Sequence, residues 1–380
     1  MGSNRFWLGL PVIVLVLIVA LLLLWRPLDR LSQEAPPVEE AAIERVNLTP
    51  GMISLDVRTD GSEPVIIAQV QVDTAYRVFT ATPAKTGARL GLIGIDIPYS
   101  WIEGEAHHIA LLTSTGAIID HTIEVATATP VLSGASLGLL AAVGFLLGAV
   151  PVATGLLAWP AMRSLSRPTM NFLLALTVGL LAFLLIDTIG EGLEEAAETI
   201  GRLRGTVLFW VMLVVTTLVL LAMGRAKGVA PEGMRLATFI ALGIGLHNLG
   251  EGLAVGAALA TGSAALATFL VIGFTIHNVT EGIGIAVPIA EERPKFIQFV
   301  GLAALAGFPA IVGTVLGTQA VSPLWIAVCF GVGAGAILQV IIEVGALILR
   351  RSGPGQWLSP PVAAGVSAGL GIMYATALLV

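Results

Sequence analysis

Charge is scarce in this chain and thiol is almost absent. Charged residues make up 12% of the 380 positions, about half the share expected of a soluble domain. The net charge of −6 leaves no basic excess, so a nucleic-acid partner is excluded early. The single cysteine, Cys329, has no intrachain partner and rules out a disulfide framework. Histidine is also rare, with five in the whole chain. What fills the space is apolar: 56% of residues are hydrophobic, and 44 glycines without a collagen period accompany them. Small residues in that company favour close helix packing in lipid.

Three stretches follow in order. The first runs from Phe6 to Trp25 without a charge. About twenty such residues span a bilayer, and its length and Trp25-Arg26-Pro27 ending favour an uncleaved anchor over residues 1–30. The second, residues 31–130, is polar enough for water. It opens on an acidic, proline-containing linker, Ser32 to Glu44. Alternating runs follow at Ile53, Leu55 and Val57, at Ile67 to Val72, Leu90 to Ile97, His108 to Leu112 and His121 to Val125. Turn residues such as Asp60-Gly61 and Thr115-Gly116 separate them, so a small antiparallel β-sandwich is predicted. Its histidines, His107, His108 and His121, read as solvated surface residues.

The third stretch, residues 131–380, is a predicted membrane helix bundle, which makes the chain mainly α. Eight apolar segments appear, at about 132–159, 169–193, 205–223, 236–260, 264–290, 296–318, 323–349 and 358–380. Basic residues gather in alternate loops: Arg163 and Arg167; Arg225, Lys227 and Arg235; Arg293 and Lys295; Arg350 and Arg351. The positive-inside rule assigns these loops to the cytoplasm. A multi-pass protein of the cytoplasmic membrane follows, with its N-terminus inside and both residues 31–130 and the C-terminus outside.

Both histidines of the bundle open the hexapeptide H-N-x-x-E-G. His247, Asn248 and Glu251 lie on the fourth segment, and His277, Asn278 and Glu281 on the fifth. Residues three and four apart share a helix face, so each helix presents imidazole, amide and carboxylate along one stripe. Two such helices facing each other enclose four to six ligands. A buried carboxylate is costly unless neutralised or paired, and no Lys or Arg lies mid-segment to do so. A divalent cation is the natural counter-charge. Asp187 and Glu191 repeat the i,i+4 acid spacing on the second segment, and Glu343 stands among apolar neighbours on the seventh. These three acids are candidates for an entry or exit path, or for a proton route.

With these residues in view, residues 131–380 resemble the ZIP family of metal transporters, in its GufA-like prokaryotic branch. The family pattern is H-N-x-P-E-G on the fourth helix and a similar P-E-G motif on the fifth. Gly331 to Leu349 resembles its seventh helix, and Asp187 to Glu195 its second. The resemblance implies a primary site of His247, Glu251, His277 and Glu281, with Asn248 and Asn278 completing a second, adjacent one. It further implies inward transport of Zn²⁺, Fe²⁺ or Mn²⁺, an elevator-like motion and a homodimer, with the metal as substrate and no cofactor. Gly250 and Thr280 stand where the family has proline, and Asn278 where some relatives have a carboxylate. The missing prolines argue against a backbone carbonyl as ligand, and Asn278 lowers the charge of the second site, so a weaker or single-metal centre is expected.

Donors of nitrogen and oxygen without thiolate suit zinc, iron and manganese over copper(I). A rival class is an intramembrane metal-dependent enzyme, but the protease motif H-E-x-x-H is missing. A second rival is a metal sensor acting through the β-domain. Deleting residues 31–130 is expected to spare uptake in a transporter and to abolish function in a sensor.

Overall fold

The computed structural model describes residues 13–21, 24, 39–61, 63–129, 133–163, 165–226, 228–260, 264–319, 322–352 and 359–378. Of the expected N-terminal anchor, residues 13–21 are helical; most of the rest of 1–30 lies outside the described residues.

Alternating sequence in residues 39–129 becomes two antiparallel sheets. One has the order β1 (Glu39–Thr49), β2 (Met52–Gly61), β7 (Gly91–Pro98), β5 (Thr80–Thr82). The other has the order β4 (Ala75–Arg77), β3 (Val65–Val72), β8 (His107–Thr113), β9 (Ile118–Ile123), with the short β6 (Thr86–Gly87) also pairing with β3. Inward-facing residues of both sheets form one core, from Leu48, Ile53 and Leu55 to Ile67, Ile95, Ile109 and Leu111. This is the sandwich that the period-two pattern predicts. The acidic linker is a correction: from Glu39 onward it is strand β1. Its charges suit an edge strand, and Glu44 is neutralised by a two-pronged ion pair to Arg58, at 2.6 and 2.9 Å. That ion pair holds the Arg58 guanidinium above its usual range, although burial opposes it.

One β-domain histidine differs from expectation, while His108 is exposed as expected. His107 is buried, with Nδ1 2.8 Å from Asp73 and its ring edge-on to Tyr99. Partial burial alone would raise the Asp73 carboxyl. Bonds from the His108 N–H, the Tyr99 hydroxyl and His107 outweigh it and lower it instead.

The described part of 133–378 is mainly helical. Among the described residues seven helices are long and apolar enough to cross a membrane: α1 (Gly134–Met162), α2 (Arg167–Ala197), α3 (Gly205–Gly224), α4 (Gly233–Ala260), α5 (Ala264–Ala286), α6 (Phe296–Gly317) and α7 (Pro323–Ser352). A shorter apolar helix, α8 (Pro360–Ala377), packs along α2. Large apolar side chains such as Leu139, Phe145, Leu218 and Phe308 are exposed on the outside of the bundle. Lipid would cover such a surface, whereas water would disfavour it. Seven such helices are the make-up of a multi-pass membrane protein.

The helices associate in two groups. In one, α1, α4, α5 and α6 pack together; in the other, α2, α3, α7 and α8. Glycines set the close approaches inside each group. A methyl on Gly256 would run into the backbone of α6, and one on Gly365 or Gly369 into the backbone of α2. The groups meet chiefly along α4 and α7. The helix ends opposite the β-domain hold the basic loops, and there Arg350 and Arg351 of α7 reach Glu232 and Glu291 beside α4 and α5, at 3.6 and 2.7 Å.

Candidate metal centre

Both H-N-x-x-E-G motifs lie mid-helix, on α4 and α5, and their faces meet. Glu251 is fully buried. Its Oε1 lies 2.9 Å from His247 Nε2, one turn away on the same helix, and 2.5 Å from His277 Nε2 across the interface. Its Oε2 accepts from the Asn278 amide at 3.2 Å. Ligand atoms of His247, Glu251 and His277 all lie within 4.8 Å of one another. An ion of zinc-like size, with ligand bonds near 2.1 Å, suits a cluster of that span.

Three of the six expected ligands thus come together directly, and Asn278 touches the shared carboxylate. The other two are placed differently. Asn248 turns its amide to the Ala306 carbonyl of α6, at 3.1 Å. Glu281 lies one turn beyond His277, away from the β-domain, and neither of its buried oxygens has a partner. The side-chain carbonyls of Asn248 and Asn278 are likewise buried without a donor. An orphaned buried carboxylate costs several kcal/mol by order of magnitude unless it takes up a proton or a cation.

Several supporting residues escaped sequence reasoning. Thr188 donates its hydroxyl proton to the Leu184 carbonyl at 2.7 Å and faces His247 Nδ1 at 3.3 Å. That hydroxyl therefore accepts the Nδ1 proton, which fixes the ring and leaves Nε2 as the atom for a metal. Thr188 sits inside the second-helix motif, and its position between Asp187 and Glu191 was the available signal. Leu147 accepts the Asn278 amide through its carbonyl at 3.0 Å. Pro151, four residues on, has no N–H to give that carbonyl, and a π-helical turn at Phe145–Ala149 accommodates the mismatch. Both α4 and α5 run unbroken through their motifs, so Gly250 and Thr280 do not open the helices.

Asp187 and Glu191 line a cavity of about 190 Å³ that reaches His277 from the β-domain side. On the opposite side His277 and Glu281 border only a narrow space walled by Leu180, Leu181, Leu184, Ile240 and Ile244. Glu343 does not join the cluster. It is fully buried and accepts from Arg225 Nε at 2.9 Å, so the acid that stands alone in sequence has a cationic partner from the end of α3. Gly333 packs on His247, and Glu343 lies ten residues further along α7, about 15 Å away at helical rise.

No family model matches the chain, and no curated protein matches it.

Proposed function

We propose that this chain is a membrane transporter that moves divalent metal ions, Zn²⁺ or else Fe²⁺ or Mn²⁺, into the cytoplasm through the cluster on α4 and α5. The observation that supports it best is the buried Glu251 carboxylate, pinned by histidines from two helices beside the orphaned acceptors of Glu281, Asn248 and Asn278. A resident structural ion would need no approach. Here a cavity of about 190 Å³ leads from Asp187 and Glu191 to His277, while apolar side chains close the other side. The arrangement fits a carrier open on one face.

The reading is that of a ZIP-like, eight-helix carrier. The group α1, α4, α5 and α6 holds both motifs and would move as one body. The group α2, α3, α7 and α8 would be the fixed scaffold and the homodimer surface. Placing the basic loops in the cytoplasm puts the β-domain outside and makes the open face the entry. Asn278 supplies an amide where a carboxylate would add charge, so a single ion held chiefly by His247, Glu251 and His277 is the expected load.

The test is influx into vesicles holding the purified chain and a metal-sensitive dye. Glu251→Ala and Glu281→Ala are each expected to abolish zinc influx while the protein stays monodisperse and folded. Unchanged zinc, iron and manganese fluxes in both variants would sink the proposal, and competition between the three metals would rank them.

A further inference from the structure

The β-domain contributes nothing to the paired motifs, yet it stands where an ion would have to enter. The Gly201 N–H, just beyond α2, donates to the Glu40 carboxylate of β1, and β1 also touches α4. Between the domain and the helix ends lies a cavity of about 370 Å³. Its walls include His121 from β9 and Glu194, Glu195 and Glu198 from α2. Glu191 lines both this cavity and the narrower one that ends at His277. The two spaces thus share a wall at Glu191 and Leu270.

We propose that the β-domain roofs an entry vestibule, in which His121 with Glu194, Glu195 and Glu198 captures hydrated divalent cations and passes them by Glu191 and Asp187 to His277. This deepens the transport reading and rests on it.

Three observations support a passage over a merely solvated acidic helix end. No lysine or arginine is among the described residues that line either cavity, and Glu44, which also borders the wider one, is already neutralised by Arg58. The acids therefore face the cavity with no cation in its described lining, and apolar walls such as Leu266, Ile326 and Phe330 concentrate their field. Next, the narrower cavity ends at His277, one helical turn from Glu281, whose two buried carboxylate oxygens lack partners. Finally, the mouth is built for transfer. Among the described residues only His247, Glu251 and His277 bring three ligand atoms within 4.8 Å, so the vestibule acids attract an ion without caging it. Burial lowers the His121 imidazole below its usual range, against the opposing pull of Glu198 and Asp120. A neutral ring has a nitrogen lone pair to offer a borderline-soft ion.

Removing the β-domain is accordingly expected to weaken capture, which modifies the expectation that uptake survives its loss unchanged. The sharper experiment keeps the chain whole. Zinc chloride influx into vesicles is measured for the natural chain, for His121→Ala, for the triple variant Glu194→Gln, Glu195→Gln, Glu198→Gln, and for a control triple neutralised elsewhere at Glu63, Glu103 and Glu124. The vestibule triple is expected to raise the KM for zinc roughly tenfold while the maximal rate stays within about twofold. The natural chain's KM should rise with added sodium chloride, and that dependence should flatten in the vestibule triple alone. His121→Ala should raise KM to a smaller extent. An unmoved KM in both vestibule variants overturns the proposal, as does a fallen maximal rate at constant KM, which marks a structural role. Absence of flux in the natural chain is a separate result that refutes the transport reading itself.

Discussion

Thr188 shows how a residue outside any ligand list controls one that is on it. Its hydroxyl has a single proton, committed to the Leu184 carbonyl, so toward His247 it can only accept. That choice places a proton on Nδ1 and presents Nε2 to the cluster. Thr188→Val keeps the shape and removes the acceptor, which frees the ring to take either tautomer. Metal affinity is expected to fall on the order of tenfold, with little change in thermal stability. Calorimetric titration of the detergent-solubilised chain with zinc checks this, and an unchanged affinity would refute the orienting role. At this scale the sequence was legible for ligand types and illegible for partners. His247, Glu251 and His277 follow from helical spacing, because i and i+4 positions share a face on any straight helix. That Asn248 faces α6 while Asn278 faces Glu251 depends on the rotation of each helix against its neighbours, which no motif encodes. Glu343 failed for the same reason, since Arg225 is 118 positions away and contacts it only through helix packing.

Each helix uses its small residues unequally, and the fourth-helix motif contains both kinds. A methyl on Gly250 would meet only the Phe330 ring, at 3.4 Å. A methyl on Gly252 would collide with the α6 backbone, closer than 3 Å to the Thr314 nitrogen. The two glycines are two residues apart, yet they face α7 and α6 respectively, across the boundary and within the group. Gly252→Ala is expected to cost about 1–3 kcal/mol through overpacking, whereas Gly250→Ala is close to neutral or slightly stabilising by helix propensity. Thermal unfolding followed by tryptophan fluorescence or by loss of the monodisperse peak distinguishes them, and equal shifts would contradict the packing assignment. Elements of this length were readable from composition: all eight apolar segments correspond to α1 through α8, with boundaries differing by a few residues. Strand β1 was not, because Glu39, Glu40 and Glu44 read as a solvated linker. Only its pairing with β2 and the Glu44–Arg58 ion pair reveal that an edge strand tolerates them.

For the molecule as a whole, the two helix groups are the feature that bears most directly on mechanism. Their shared seam is unsymmetrical from end to end. Near the β-domain it is flanked by the two cavities and the acids of α2. At the opposite end it is bridged by consecutive arginines of α7, Arg350 to Glu232 and Arg351 to Glu291. Exposed pairs of this kind contribute roughly 0–1 kcal/mol each, so they define a closed end without locking it. If one group must slide past the other to release an ion, that end has to open in every cycle. A covalent tie across it should therefore stop transport without touching the metal cluster. Glu291→Cys with Arg351→Cys, in a Cys329→Ser background, puts one thiol on each side of the 2.7 Å ion pair, and a bifunctional thiol reagent with a reducible linker replaces the reach of the two lost side chains. Cross-linking with it is expected to abolish zinc influx, reduction to restore it, and zinc affinity to stay within about twofold of the untied protein, because the ligands on α4 and α5 do not move relative to each other. Influx that survives complete cross-linking would show that the groups need not separate at this end, and would replace relative motion of two bodies with conduction through a static pore.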